Sequence, residues 1–171
     1  MRLYLVRHGK AELGPLDADR RLSERGRVDV EAMAQHLADQ DIRVARVVHS
    51  GLARARETAE ILASQLAPGP TPGQALEQMA GIEPWGDVKA FAKAIKRWDT
   101  DTMVCGHEPF MGEAASLLMC GDAHAGLVAV KTGTVMALER AHYSSGWHLR
   151  WMLTPRVVRG PKAEPKEEDE A

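Results

Sequence analysis

The chain has 171 residues, 44% hydrophobic and 27% charged, the size and balance of one globular domain, which excludes disorder and low-complexity classes for its bulk. With 22 Lys and Arg against 24 Asp and Glu the net charge is −2, so there is no global basic excess for nucleic-acid binding. No apolar run reaches the ~18 residues of a membrane helix, Arg7 and His8 interrupt the start too early for a signal-peptide core, and two cysteines are too few for a disulfide scaffold, so the expectation is a cytoplasmic protein with Cys105 and Cys120 in its core.

Arg2–Arg7 alternates and is rich in β-formers, which predicts a strand ended by His8-Gly9. Gly14-Pro15 marks a loop. Ser23 is a candidate N-cap, and Val30, Met33, Ala34 and Leu37 then place one buried face on a helix reaching about Gln40. Val44–His49 reads as a second strand and Ala53–Leu66 as a second helix, stopped by the loop Pro68–Gly73. A third helix is expected over Asp87–Trp98, then a short apolar strand over Thr102–Cys105. Pro109 stands at a plausible first helical position for a helix to about Met119. Two late strands, Val135–Leu138 and Trp147–Leu153, are joined by a turn at Tyr143–Gly146.

Strands that alternate with helices imply crossovers, a mostly parallel sheet and helices on both faces, with the last strand pair antiparallel. The expected fold is therefore a three-layer α/β/α sandwich over residues 1–155. Residues 156–171 lack a core pattern and end in an acidic run, so they are expected to be a disordered tail. About 50 residues separate His49 from Thr102, which leaves little room for a lid domain.

Three strand ends carry the chemistry: Arg7-His8-Gly9, then His49-Ser50-Gly51 leading to Arg54, and Gly106-His107-Glu108-Pro109. In open parallel sheets ligands bind outside the carboxyl ends of the strands, so these residues can converge there. Helix N-termini add free N–H groups and positive potential. Arginine presents a planar fork to paired oxygens, and histidine can be a nucleophile while a carbonyl fixes its second nitrogen. The combination suits a phosphoryl group. Zinc held by His8, His49 and His107 is a weaker reading, because two arginines would repel a cation. His36, His124, His142 and His148 read as surface residues and His49 as a half-exposed structural one.

Leu5-Val6-Arg7-His8-Gly9, Ser50-x-x-x-Arg54-Ala55-x-x-Thr58-Ala59 and Val104-Cys105-Gly106-His107-Glu108-Pro109 together resemble the histidine phosphatase (phosphoglycerate mutase-like) superfamily. Asp19-Arg20-Arg21-Leu22-Ser23-Glu24-Arg25-Gly26 is similar to the first-loop segment of its SixA-like phosphohistidine phosphatase branch. The resemblance implies an α/β/α sandwich, His8 as a nucleophile that is transiently phosphorylated, and Arg7, Arg54 and His107 as holders of the phosphoryl oxygens. A further contact would come from the backbone N–H of Glu108. It implies no metal and no cofactor.

Gly51 departs from the proline usual in the family after that serine. The acid that protonates the leaving group is open: Glu77 fits best, with Glu83, Glu12 and Asp19 as alternatives. A site without a lid admits a side chain of a protein, so the expected substrate is protein phosphohistidine. A metabolite phosphomonoester and a non-catalytic phosphate-binding module are the alternatives.

Overall fold

The computed structural model describes residues 1–67, 75–141 and 146–160. In chain order the elements are β1 (Arg2–Arg7), α1 (Glu24–Asp39), β2 (Arg46–His49), α2 (Ala53–Leu66), β3 (Leu76–Gln78), α3 (Val88–Ala94), β4 (Thr102–Gly106), α4 (Phe110–Cys120), β5 (Val135–Arg140), β6 (Trp147–Leu153) and α5 (Pro155–Arg159). Single 3₁₀ turns occur at Asp17–Asp19 and Ile95–Arg97.

One six-stranded sheet has the order β3-β2-β4-β1-β5-β6. The pairs β3–β2, β2–β4 and β4–β1 are parallel, and β1–β5 and β5–β6 are antiparallel. Strand alternation divides the core between the two faces. Leu3 and Leu5 of β1 pack with Val104 against α3 and α4, on Phe91, Ile95, Phe110 and Met111. Tyr4 and Val6 pack with Met103 and Cys105 against α1 and α2, on Val30, Met33, Leu37 and Leu62. The three layers and the mostly parallel sheet agree with the expected fold, and no lid domain is present among the described residues. None of the described helices is long and apolar enough to cross a membrane.

Local signals explain most boundaries. Ser23 caps α1 by accepting from the Gly26 amide at 3.1 Å, and Asp87 caps α3 through the amides of Lys89 and Ala90. Pro109 is itself the cap of α4, so the helix starts at Phe110, one residue later than expected, and Gly121 ends it with φ 83°. The expected third helix is α-helical only to Ala94 and tightens into the 3₁₀ turn.

Four expectations are corrected. β3 has no counterpart in the sequence pattern: Leu76-Glu77-Gln78 lacks a strand signal, and it is recruited by the open edge of β2, with Val47 N–H donating to Ala75 at 2.7 Å and Met79 N–H to His49 at 2.9 Å. Cys120 is exposed at the end of α4, while Cys105 is buried. His49 is buried, only 5% exposed, not half-exposed. The tail does not begin at residue 156, because α5 packs on α1, Val158 joins the α1–α2 core and Arg159 pairs with Asp29 at 2.8 Å. The loop Pro68–Gly73, most of the turn at Tyr143–Gly146, His142 and residues 161–171 lie outside the described residues.

Candidate active site

The neighbouring parallel strands β1 and β4 bring two histidines together. Arg7 is in register with Gly106, so His8 and His107 each stand one residue past a matched pair. The His8 amide donates to the Gly106 carbonyl at 3.0 Å, and the two ring centroids are 4.9 Å apart. β2 lies on the far side of β4 and delivers α2, whose first turn carries Arg54.

The turn at Gly9 is fixed from both helices. Its amide donates to Thr58 Oγ1 at 3.1 Å, and that hydroxyl donates to the Arg54 carbonyl at 2.7 Å. A Cβ on Gly9 would stand 2.8 Å from Val30 Cγ2 and 3.0 Å from the Gly26 carbonyl, so the close approach admits only glycine. Gly51 has φ 93°. Proline is locked near −65° and cannot take that conformation, so the departure from the family pattern sets the backbone after Ser50.

The His8 ring is oriented at both nitrogens. Nδ1 lies 2.7 Å from the Gly9 carbonyl, which only accepts, so Nδ1 carries the proton. Nε2 is left with its lone pair and accepts from Arg54 Nε at 3.2 Å. Burial, reinforced by Arg54 and Arg7, pushes the His8 pKa down to about 4, against the Gly9 carbonyl. The ring is therefore neutral at physiological pH, an unprotonated base aimed into a cationic pocket.

His107 is held differently. Ser50 Oγ lies 2.7 Å from its Nε2, and its Nδ1 is buried without a partner. Burial, then the neighbouring His8 and Arg54, bring its pKa down to about 3. Arg7 donates through Nη1 to the Val130 carbonyl at 2.6 Å and keeps a buried, unpartnered Nε. These idle donors can serve an anion.

Arg54 spends three of its five N–H groups: Nε on His8, Nη1 on the Asp17 carbonyl at 2.6 Å and Nη2 on the Asp17 carboxylate at 2.9 Å. Two remain for a ligand. The Arg54 contact holds the Asp17 carboxyl below its usual range. Arg20 adds a second pair to Asp17 at 3.1 Å and binds the Glu12 carbonyl. The loop is also tied to α2 by buried Glu57, which accepts from the Leu22 amide at 2.9 Å.

A cavity of about 310 Å³ results, lined by Arg7, His8, Lys10, Arg20, Arg54, Pro84, His107, Glu108 and Thr132. Of the residues expected from sequence, Arg7, His8, Arg54, His107 and Glu108 meet there. Glu77 does not. It lies on edge strand β3, one beyond β2 and so outside the β1–β4 pair that carries the histidines, where it pairs with Arg46 at 3.2 Å and does not line the cavity. Glu83 is absent from the lining and turns back to accept from the Gly81 amide at 2.9 Å. Glu12 and Asp19 line a separate, largely apolar hollow within their own loop. His49 is structural, with Nδ1 accepting from the Gly51 amide at 3.1 Å. His124 and His148 are exposed and His36 is half-buried. Sequence reasoning passes over Lys10, Asp17 and Arg20, since charged residues in an aperiodic loop look alike, and over the role of Ser50.

Residues 3–114 match the family described as the histidine phosphatase superfamily (branch 1). The chain belongs to that superfamily. An uncharacterized protein of Picosynechococcus sp. is 31% identical over 173 residues, covering 90% of this chain and 99% of its own length. Among solved structures, the protein histidine phosphatase SixA complexed with tungstate is similar at TM-score 0.79 and 23% identity, covering 91% of this chain and 97% of that one. A candidate phosphohistidine phosphatase SixA from Agrobacterium tumefaciens is 28% identical, with TM-score 0.71 and coverage of 90% and 97%. The alpha-ribazole phosphatase from Shigella flexneri is 16% identical, with TM-score 0.68 and coverage of 91% and 97%. The first and third of these structures share the fold with this chain.

Proposed function

We propose that this chain is a phosphatase that forms a covalent phosphohistidine at His8, and that its substrate is phosphohistidine on a protein. The observation that carries the reading is the His8 ring: neutral, proton-fixed by the Gly9 carbonyl at 2.7 Å, its free Nε2 turned to Arg54. A binding module has no use for an unprotonated nucleophile placed among cations.

In the first step the Nε2 lone pair forms a bond to phosphorus while the bond to the leaving group breaks. Arg7, Arg54 and His107 hold the phosphoryl oxygens, with a further contact from the Glu108 amide, and balance the charge that spreads over them in the transition state. In the second step water attacks phosphorus, the N–P electron pair returns to Nε2, and inorganic phosphate forms. His107 suits the transition state, because a bound dianion raises the affinity of its neutral ring for a second proton, and the imidazolium can donate at both nitrogens.

Two features favour a protein substrate. The cavity is bounded by loops, without a lid domain among the described residues, so a side chain can reach it. The Agrobacterium relative, a candidate phosphohistidine phosphatase, is alike over nine-tenths of the chain. The shared fold with an alpha-ribazole phosphatase keeps a small phosphomonoester as the second reading.

The test is rapid-quench labelling with a phosphohistidine peptide, beside a panel of small phosphomonoesters. Acid-labile phosphate should be trapped on the wild type, and His8→Ala should lose turnover by a factor on the order of 10⁴ or more while remaining folded. Full activity of His8→Ala would overturn the mechanism. A small ester turned over with far higher kcat/KM than any phosphohistidine peptide would overturn the protein-substrate reading.

A further inference from the structure

We propose that Glu108 is the proton donor to the leaving group. The inference rests on the reading of His8 as nucleophile and adds the group that reading lacks.

Glu108 is the one carboxylate among the described residues that line the His8 cavity. It follows His107 directly, at the mouth of α4, on the strand end that faces His8. Its Oε1 is buried without a hydrogen-bond partner, which is unusual for a carboxylate among so many cations. The carboxyl group rests on Gly112 in the first turn of α4. A Cβ there would stand 3.0 Å from Oε2 and 3.4 Å from Oε1, so the glycine makes the space in which the acid lies.

Burial dominates over the nearby Arg7 charge and the Gly112 amide, and pushes the Glu108 pKa up to about 7. A large fraction of the group is therefore protonated at neutral pH, and a bound phosphoryl dianion favours that form further. An ionised Glu108 would repel the substrate that Arg7 and Arg54 attract, whereas the acid form is neutral and carries a proton.

The proton balance closes over two steps. As Nε2 of His8 bonds to phosphorus and the P–O bond breaks, the leaving oxygen takes the proton of Glu108, which becomes a carboxylate. In the second step that carboxylate takes a proton from the attacking water as phosphate forms, and Glu108 ends protonated. A phosphohistidine substrate needs this less, because its imidazole can leave already protonated on its other nitrogen.

The test compares Glu108→Gln with wild type on an alkyl phosphomonoester, on p-nitrophenyl phosphate, whose leaving group needs no proton, and on a phosphohistidine peptide. The expected result is a loss of about a hundredfold or more on the alkyl ester in kcat/KM, which reads the first step and not the hydrolysis common to all three substrates. Less than about a threefold change is expected on the aryl ester, and the phosphohistidine peptide should lie between the two. The basic limb of the wild-type pH profile on the alkyl ester should disappear in the variant. A merely structural role at the start of α4 would slow all three alike and leave the pH profile in place, and that result overturns the proposal.

Trapping phosphate on His8 of the Glu108 variant with the aryl ester tests the His8 reading separately. If the label forms while the three substrates slow equally, the donor assignment fails and the nucleophile stands. Should Glu108→Gln not fold, a series of aryl phosphates on the wild type separates the same two outcomes. Values of kcat/KM nearly independent of leaving-group pKa support a donor, and values that fall steeply as that pKa rises overturn it.

Discussion

Two strand ends offer a carboxylate near the carboxyl edge of the sheet, and only one of the two lines the His8 cavity. β4 lies between β1 and β2, so the residues after it, His107 and Glu108, enter the cavity beside His8. β3 is the outer strand, and its Glu77 pairs instead with Arg46, whose guanidinium lies 4.1 Å over the Trp98 ring. Side-chain type does not distinguish the two glutamates. Position relative to the sheet centre does: central strands open onto a pocket framed by helix starts on both faces, and an edge strand opens onto solvent.

The largest effect that sharpens this contrast is expected at Arg54. Arg54→Lys keeps the charge but loses the fork that joins His8 Nε2 to Asp17, so kcat/KM should fall about a hundredfold or more. Steady-state kinetics on any turned-over phosphate ester measures it. Near-normal activity would mean that the α2 start does not belong to the site.

A smaller effect separates the central cluster from the edge through pH. His8 and His107 have folded pKa values of about 4 and about 3, below the ordinary histidine value, so acidification protonates the unfolded chain first. Their contribution is fully present above about pH 6.5 and is lost as pH falls toward 4. Glu108, raised to about 7, acts with the opposite sign between about pH 4.5 and 7, because the folded form holds the proton there. The three together leave about one net proton taken up on unfolding near pH 5. Tm should therefore fall on acidification from pH 7 to 5, and more steeply in Glu108→Gln, where the opposing group is gone. Thermal melts across that range check both slopes, and a flat profile in wild type would break the comparison.

The smallest effect is expected at the edge. Glu77→Gln removes an ion pair whose glutamate is half-exposed, a class worth about 0–1 kcal/mol, so stability should barely move and kcat/KM should stay within about twofold. Parallel assays of Glu77→Gln and Glu108→Gln on one alkyl phosphate put the two carboxylates side by side. A large loss at Glu77 would return the edge strand to the site.

Periodicity and turn residues by themselves determined most of the architecture. The Leu3–Val6 alternation, the Val30, Met33, Ala34 and Leu37 face and the Ser23 cap are local patterns, and each element reads the same in isolation as in the fold. Arg7, His8, Arg54 and His107 were legible too, because each ends a strand or opens a helix and parallel sheets send such residues to one side. What only the tertiary structure decided is long-range. β3 exists because β2 has a free edge, not because Leu76-Glu77-Gln78 favours a strand. The helix at Pro155–Arg159 exists because α1 offers Asp29 and an apolar groove for Val158. The Asp17–Arg54 clasp closes across 37 positions, and no local pattern marks which loop acid makes it. Glu108 gains its place as a half-buried carboxyl beside His107 from the strand order and from the space above Gly112, since a carboxyl is shifted by what surrounds it in space and not by its neighbours in the chain.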